Sequence, residues 1–285
     1  MAPMQGHINP IEMIRAVLCR PRRKTINPIF VSHGAPDLAL HPSDAADFMK
    51  QYGLGPETPK AILVVSAHYM HHEPTLSVDA QPDMIYDFGG FDPALRRIVY
   101  PAPGAPDLAT QAADLLEKAG IKARLEQGRG YDHGTWVPLV LMRPQADIPV
   151  VQLSVNPEAG PQWHYEIGRA LQPLTEQGVL IIGSGAATHN LRELFGNHYP
   201  LDAPAPDWVK DFGDWLDERI VAGDTNALLN YRSTAPHAER NHPTEEHLLP
   251  LYVALGAAGE KAKGARIHTS HQYGVLMMDA YAFHA

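Results

Sequence analysis

The sequence predicts an α/β fold: a single domain with a central, mostly parallel mixed sheet flanked by helices, and a functional site at the carboxyl ends of the strands. Three observations lead there. Apolar runs at 28–31, 60–65, 149–155 and 178–182 have the continuous hydrophobicity of strands buried on both faces. Stretches with helical apolar spacing lie between them. Three of the runs deliver a histidine just past their ends: His33 in Ser32-His33-Gly34, His68 in Ser66-Ala67-His68-Tyr69, and His189 in Gly183-Ser184-Gly185-Ala186-Ala187-Thr188-His189. Open α/β sheets collect their ligand-binding groups at such ends.

In chain order, residues 1–27 read as an N-terminal extension and 28–285 as one domain, since no repeat, low-complexity run or linker divides the rest. Residues 8–18 carry apolar positions at helical spacing, followed by Arg20, Arg22, Arg23 and Lys24. A helix packed on the body or on a partner subunit, and a frayed tail, are equally compatible with this. A secretory signal would place its basic cluster first and have a longer apolar core. Residues 29–32 form the first strand, and Gly34 and Pro36 then turn the chain, holding His33 on a short, stiff loop. Residues 44–51 form a helix capped by Ser43. After the second strand, His71 and His72 read as a solvated turn. Residues 81–104, with Tyr86-Asp87-Phe88-Gly89-Gly90-Phe91, form a long loop of the binding or lid kind, or one whose Phe88 and Phe91 plug a secondary core.

Residues 106–119 are an amphipathic helix that stops at Gly120. A strand at 121–127 precedes the glycine-rich segment 128–136, where His133 stands beside Asp132, and Val137 opens a helix. The strand at 149–155, a helix at 162–176 and the third histidine-tipped strand follow. Residues 204–221 are helical and carry Trp208 and Trp215, which suit either substrate contact or core packing. Thr244 caps a helix running to Gly256, with Glu245 and Glu246 in its first turn and His247 near its N-terminus. Residues 266–272 and 275–283 pair as a β-hairpin.

The chain has 285 residues, 45% hydrophobic and 19% charged, enough to bury a core. Its net charge of −9 gives no electrostatic footprint for nucleic acid or an anionic membrane. No segment reaches the ~20 apolar residues of a membrane span. The one cysteine, Cys19, excludes an internal disulfide framework and a Cys-based zinc cluster, so a reducing cytoplasm is the expected compartment. Any transition metal must then be held by His, Asp or Glu. Imidazole suits Zn, Cu, Fe and Ni. His33, His68 and His247, from separate elements, are the expected metal ligands, with His133 and His189 as acid/base groups beside them. Singly, each histidine is better explained as a hydrogen-bonded structural residue; jointly, the fact that three of the five end apolar strands favours a metal site, and the sequence alone does not separate ligands from bases. No G-x-S-x-G elbow, P-loop, dinucleotide fingerprint or H-E-x-x-H motif competes.

The sequence resembles the class III extradiol ring-cleavage dioxygenases, the LigB-like superfamily, and most closely the DOPA-type branch (4,5-DOPA dioxygenase extradiol). The matching motifs are SHGAP at 32–36, SAHY at 66–69, YDFGGF at 86–91, YPAPG at 100–104, YDHGTW at 131–136, PVVQLSV at 149–155, GSGAATHNLR at 183–192 and the PTEEHLLPLYVALGA run from Pro243. They span nearly everything from residue 28 onward; residues 1–27 lie outside them.

The resemblance implies a mononuclear non-haem Fe(II) site, with Zn(II) as an alternative occupant. It gives His33 and His68 the first two ligand positions and His247 the third, where the wider superfamily uses glutamate. Glu246 is a substitute ligand or, as the preferred reading, a solvated helix-terminal carboxylate. His189 matches the catalytic acid/base, and His133 a histidine that hydrogen-bonds substrate or oxygen. The implied reaction opens a small-molecule catechol, DOPA-like, with O2 to a muconic semialdehyde. Two other readings use the same residues: a zinc-dependent hydrolase, and a non-catalytic binding member of the superfamily. A monomer and a homo-oligomer both fit the sequence.

Overall fold

The four apolar runs become the parallel centre of an eight-stranded sheet. The computed structural model describes residues 25–285 except 54, 56, 57 and 198. The helix expected at 8–18 and its basic cluster lie outside the described residues. The strands are β1 (Ile29–Ser32), β2 (Ala61–Met70), β3 (Thr75–Ser77), β4 (Arg124–Glu126), β5 (Val150–Val155), β6 (Val179–Gly185), β7 (Lys263–His268), β8 (His271–Gln272), β9 (Leu276–Met277) and β10 (Ala280–His284). Their order is β4-β3-β5-β2-β6-β1-β10-β7, with β8 and β9 paired apart. Strands β5, β2, β6 and β1 run parallel, β3 is antiparallel to β5, and β10 is antiparallel to both β1 and β7. The sheet is mixed and mostly parallel, as the sequence predicts.

The principal helices are α1 (Asp44–Gly53), α2 (Pro106–Lys118), α3 (His133–Met142), α4 (Gly160–Thr175), α5 (Leu191–Asn197), α6 (Asp207–Ala222) and α7 (Leu249–Ala257). They cover both faces. Alternate residues of β2 show why its run is apolar throughout. Leu63 and Val65 join the core beneath α2, α4, α6 and α7, while Ile62 and Val64 join the core beneath α1 and α3. Ser43 accepts from the Ala46 N–H and starts α1, as expected. Among the described residues no helix is long and apolar enough to cross a membrane.

Four local expectations need correction. The last long helix begins at Leu249, not Thr244. Pro250 favours this: without an N–H, and with a ring that clashes with the preceding turn, proline fits a first turn freely and an interior only at a cost of about 3 kcal/mol. A helix opened at Thr244 would have put Pro250 in its interior. The Thr244 hydroxyl instead donates to Glu246 Oε1 at 3.0 Å. Conversely, α3 begins four residues before Val137, because Asp132 caps it by accepting the Thr135 N–H at 3.0 Å. The C-terminal hairpin is real but divided: β7 pairs with β10 in the main sheet, and β8 pairs with β9 as a separate ribbon near its tip. The strand expected at 121–127 shortens to β4.

Candidate metal centre

Topology explains why imidazoles from distant stretches meet. β2, β6 and β1 are adjacent and parallel, so their carboxyl ends share one edge. His33 leaves β1 with its N–H bonded to the Gly185 carbonyl at 2.9 Å. Gly34 follows in a left-handed conformation (φ 66°), which turns the chain away at once. His68 lies in β2 just past its last pairing with β6, Ser66 to Ser184. There the register with β5 jumps from Val65–Leu153 to Met70–Val155. Such irregularities re-aim side chains at sheet edges. His189 ends the segment after β6, its N–H held by the Asn241 carbonyl at 3.0 Å.

His247 reaches the same edge from the turn before α7. That turn lies against β6 because the strand carries glycine there. A Cβ on Gly185 would stand 2.0 Å from the His247 carbonyl oxygen, and one on Gly183 2.3 Å from that of Pro250. His133 opens α3 and comes in from the opposite side.

The five imidazoles share one chamber, in two groups. His33 and His68 face each other with 3.1 Å between their Nε2 atoms, and His133 joins them, its ring centroid 3.9 Å from that of His68. His189 and His247 stack at 3.5 Å beside Glu246. The expected ligand trio spans both groups: the His247 centroid is 5.5 Å from His33 and 4.9 Å from His68.

The inward nitrogens are set by what holds the outward ones. Ser184 Oγ donates to the Gly134 carbonyl, so toward His33 Nδ1, 3.0 Å away, it acts as acceptor. His33 therefore carries its proton on Nδ1 and turns the Nε2 lone pair inward. Asp87 accepts from His133 Nδ1 at 2.8 Å and from the His133 N–H at 3.2 Å, and its other oxygen lies 3.7 Å from His68 Nδ1. Glu246 Oε1 lies 3.1 Å from His247 Nδ1. This is the outer arrangement that fixes histidine tautomers around metals.

Burial, and the mutual repulsion the rings would feel if protonated, favour the neutral form of His33, His68, His189 and His247. Desolvation, then His68, hold His33 well below its ordinary pKa; desolvation, then His189, do the same to His247. His68 is lowered to about 3 by burial and by His133, against the opposing Asp87. Burial lowers His189 to about 4. Burial would raise Asp87, but the His133 hydrogen bond and the neighbouring imidazoles outweigh it and bring it to about 2. The donor set fits a borderline divalent metal: neutral, oriented nitrogen lone pairs. Two nitrogens bound to one ion at about 2.1 Å stand roughly 3–3.4 Å apart, which matches His33 and His68.

Several supports escaped the sequence reading. Asp87 and Ser184 stood inside quoted motifs with no role assigned, and no spacing rule ties either to its histidine. Asp132 is buried, accepts from Ser66 Oγ at 2.7 Å and pairs with Arg129 at 2.6 Å, anchoring the start of α3 beneath His68 and His133. Glu246 is not a solvated carboxylate: its side chain is 16% exposed and lines the chamber. Phe88 and Phe91 line the adjoining cavity, so the 86–91 loop is a wall of the site. Trp208 is core, with Arg240 over its ring, and neither it nor Trp215 is among the residues lining that cavity. The His72 side chain is 83% exposed, as a solvated turn requires, but His71 is half-buried against the Tyr69 ring, 3.5 Å from Glu126.

Residues 45–283 match the family described as the catalytic LigB subunit of aromatic ring-opening dioxygenase. The 4,5-DOPA dioxygenase extradiol of Beta vulgaris is 43% identical over 258 residues, covering 89% of this chain and 95% of that protein. The protein of the same name from Portulaca grandiflora is 41% identical, covering 89% and 94%. A crystal structure of an uncharacterized protein, JW3007, from Escherichia coli K12 superposes with a TM-score of 0.72 at 29% identity, over 90% of this chain and 99% of that one.

Proposed function

The chain belongs to the LigB family of aromatic ring-opening dioxygenases, and from that premise we propose that it is an extradiol enzyme opening the ring of a DOPA-like catechol with O2 to a muconic semialdehyde. The observation that carries this is the convergence of five imidazoles, those of His33, His133 and His247 buried and those of His68 and His189 half-buried, on one cavity. In this reading residues 28–285 are the catalytic domain and 1–27 an extension of it.

His33, His68 and His247 would hold the metal. Fe(II), the ion we propose, would supply Lewis acidity toward the diol, as Zn(II) also would, and electrons toward O2, which redox-inert Zn(II) would not. The remaining residues handle protons and water. His189 is neutral at neutral pH, so it can accept a catechol hydroxyl proton. His133, with Asp87 behind its Nδ1, presents Nε2 to the chamber and can pass a proton to or from the reacting oxygens. Phe88, Phe91 and Leu194 keep bulk water from the ring.

Anaerobic reconstitution with Fe(II), then oxygen uptake on a catechol panel that includes DOPA, tests the proposal. Uptake with formation of a ring-opened chromophore is expected; no uptake with any catechol refutes it. An all-imidazole donor set also suits a zinc hydrolase, and that reading requires turnover with zinc and no oxygen consumption.

A further inference from the structure

The cavity that holds the imidazoles has a volume of about 590 Å³, room for a ring and its substituent. Five aromatic side chains line it: Phe88, Phe91, Phe195, Tyr199 and Tyr273. Apart from the histidines, its charged side chains are Asp87 and Glu246, both acids, and among the described residues no lysine or arginine lines it. Ring faces and carboxylates both attract cations. Asp87 and Glu246 are already engaged by His133 and His247, so a substrate cation needs a further acid.

Asp37 is that acid. It lies in the short turn of helix that follows His33, half-buried behind the wall. Its carboxylate accepts from the Tyr273 hydroxyl at 3.5 Å, and among the described residues no lysine, arginine or histidine pairs with it. A bond that long is weak, so the carboxylate is poorly satisfied where it stands. Tyr273 itself lines the cavity. It occupies the turn between β8 and β9 with φ 52°, a backbone conformation that bulky residues rarely adopt. Its N–H is held by the Leu201 carbonyl at 2.9 Å, which ties the turn to the segment carrying Tyr199. Burial, then Asp37, hold its phenol above the ordinary range, so it stays protonated. The proton goes to Asp37, and the oxygen lone pairs remain free to accept.

We infer that Tyr273 and Asp37 form the subsite for an ammonium group on the substrate side chain. The inference rests on the ring-cleavage reading of the same site. With the diol at the imidazoles, the ammonium donates to the Tyr273 oxygen and supplies the positive charge that Asp37 lacks. The aromatic wall gives it ring faces in place of water. A carboxylate on the same side chain meets no cation in the wall and stays in water at the opening. A DOPA-like substrate is therefore sorted by its amine.

Anaerobic calorimetric titration of the metal-loaded protein reads this without turnover. The probes form two pairs that differ by an ammonium alone: DOPA with 3-(3,4-dihydroxyphenyl)propionate, and dopamine with 4-ethylcatechol. In each pair the amine should bind about tenfold more tightly, the effect of one hydrogen bond to a charged group. Tyr273→Phe, which keeps the ring, and Asp37→Asn, which keeps the shape, should each weaken the amines relative to their partners and remove most of that difference. Equal Kd values within both wild-type pairs overturn the inference. So does a full tenfold difference that survives in both variants. Oxygen uptake on the same four compounds is scored separately: its absence refutes ring cleavage, while the paired Kd values still decide the ammonium subsite.

Discussion

Replacing Ser184 with alanine tests how the chamber is built. The chain of causes begins with Pro138, inside α3. In an α-helix the Gly134 carbonyl would accept from the N–H four residues on, and proline has none. Ser184 Oγ fills that vacancy by donating to the Gly134 carbonyl. Its only proton is then committed, so it can only accept from His33 Nδ1 at 3.0 Å. A proline in one helix thereby fixes the tautomer of an imidazole on a strand end. Ser184→Ala frees the His33 ring and leaves a buried carbonyl and a buried N–H without partners. Each orphaned group costs about 1–3 kcal/mol, so the variant should be destabilised by at least about 2 kcal/mol. Losing an outer partner of a metal-binding histidine typically weakens affinity about 10–100-fold, or about 1.4–2.8 kcal/mol. Competition with a chromophoric chelator gives Kd for Fe(II) or Co(II), and urea unfolding of the metal-free protein gives the stability change. Pro138→Ala, which restores the missing N–H, should shift Kd in the same direction by less. A folded Ser184→Ala protein with wild-type metal affinity refutes the relay.

The remaining expectations concern the close approach at β6, the acid behind His133, and pH. Gly185→Ala places a methyl group 2.0 Å from the His247 carbonyl oxygen. Either the His247 turn moves or the strand does, at a cost of about 1–3 kcal/mol; an unchanged Tm together with unchanged metal affinity would contradict this. Asp87→Asn keeps an acceptor for His133 but removes the charge, and should lower kcat at least about tenfold while moving KM little; an unaltered kcat would remove Asp87 from the proton path. His164 lies far from this chemistry in sequence and is fully buried, accepting the Asn156 N–H at 3.1 Å and donating from Nδ1 to the Gly160 carbonyl at 2.7 Å. Burial lowers it from 6.5 to about 4, with the Gly160 bond opposing. Below pH 6.5 the unfolded chain takes up a proton that the folded chain refuses, so stability is lost as pH falls from 6.5 toward 4. The loss is about 1.4 kcal/mol per pH unit. Urea unfolding of wild type and His164→Gln between pH 6.5 and 4.5 should differ in slope by about that amount, and parallel curves would show that His164 does not carry it.

Much of this molecule was legible in its sequence, for identifiable reasons. Apolar runs too short for helices marked the four parallel strands, and three of them carried a histidine at the end where parallel strands expose their ligands. His33 and His189 were placed correctly past β1 and β6, and His68 proved to lie on an irregular extension of β2. The order β2-β6-β1, which puts those ends side by side, is not a periodic property and could not be read. His247 entered the expected ligand set from its place near a helix N-terminus, which carries no spacing signal, and the family resemblance then gave it the third ligand position. The helix boundaries at 249 and 133 were missed because single residues, Pro250 and Asp132, overrode the apolar pattern. Glu246 was misjudged because acidic residues in a first turn usually face water, whereas this one faces His247.

The pattern Gly183-Ser184-Gly185 joins these strands of argument. As a sequence motif it is not a nucleophile elbow of the G-x-S-x-G type. In the sheet its two glycines have no room for side chains because the backbone bearing His247 and Pro250 lies across them. The serine between them alternates to the other face, as strand geometry requires, and there it meets Gly134 and His33. One strand end therefore sets the position of His247 on one face and the tautomer of His33 on the other. Those two residues belong to different clusters of the chamber, and a shift of β6 would disturb both together. The double variant Ser184→Ala/Gly185→Ala should consequently weaken metal binding by an amount different from the sum of the single effects, since contacts that share one backbone segment do not act independently. Additive losses in binding free energy would show that the two faces of the strand are set separately.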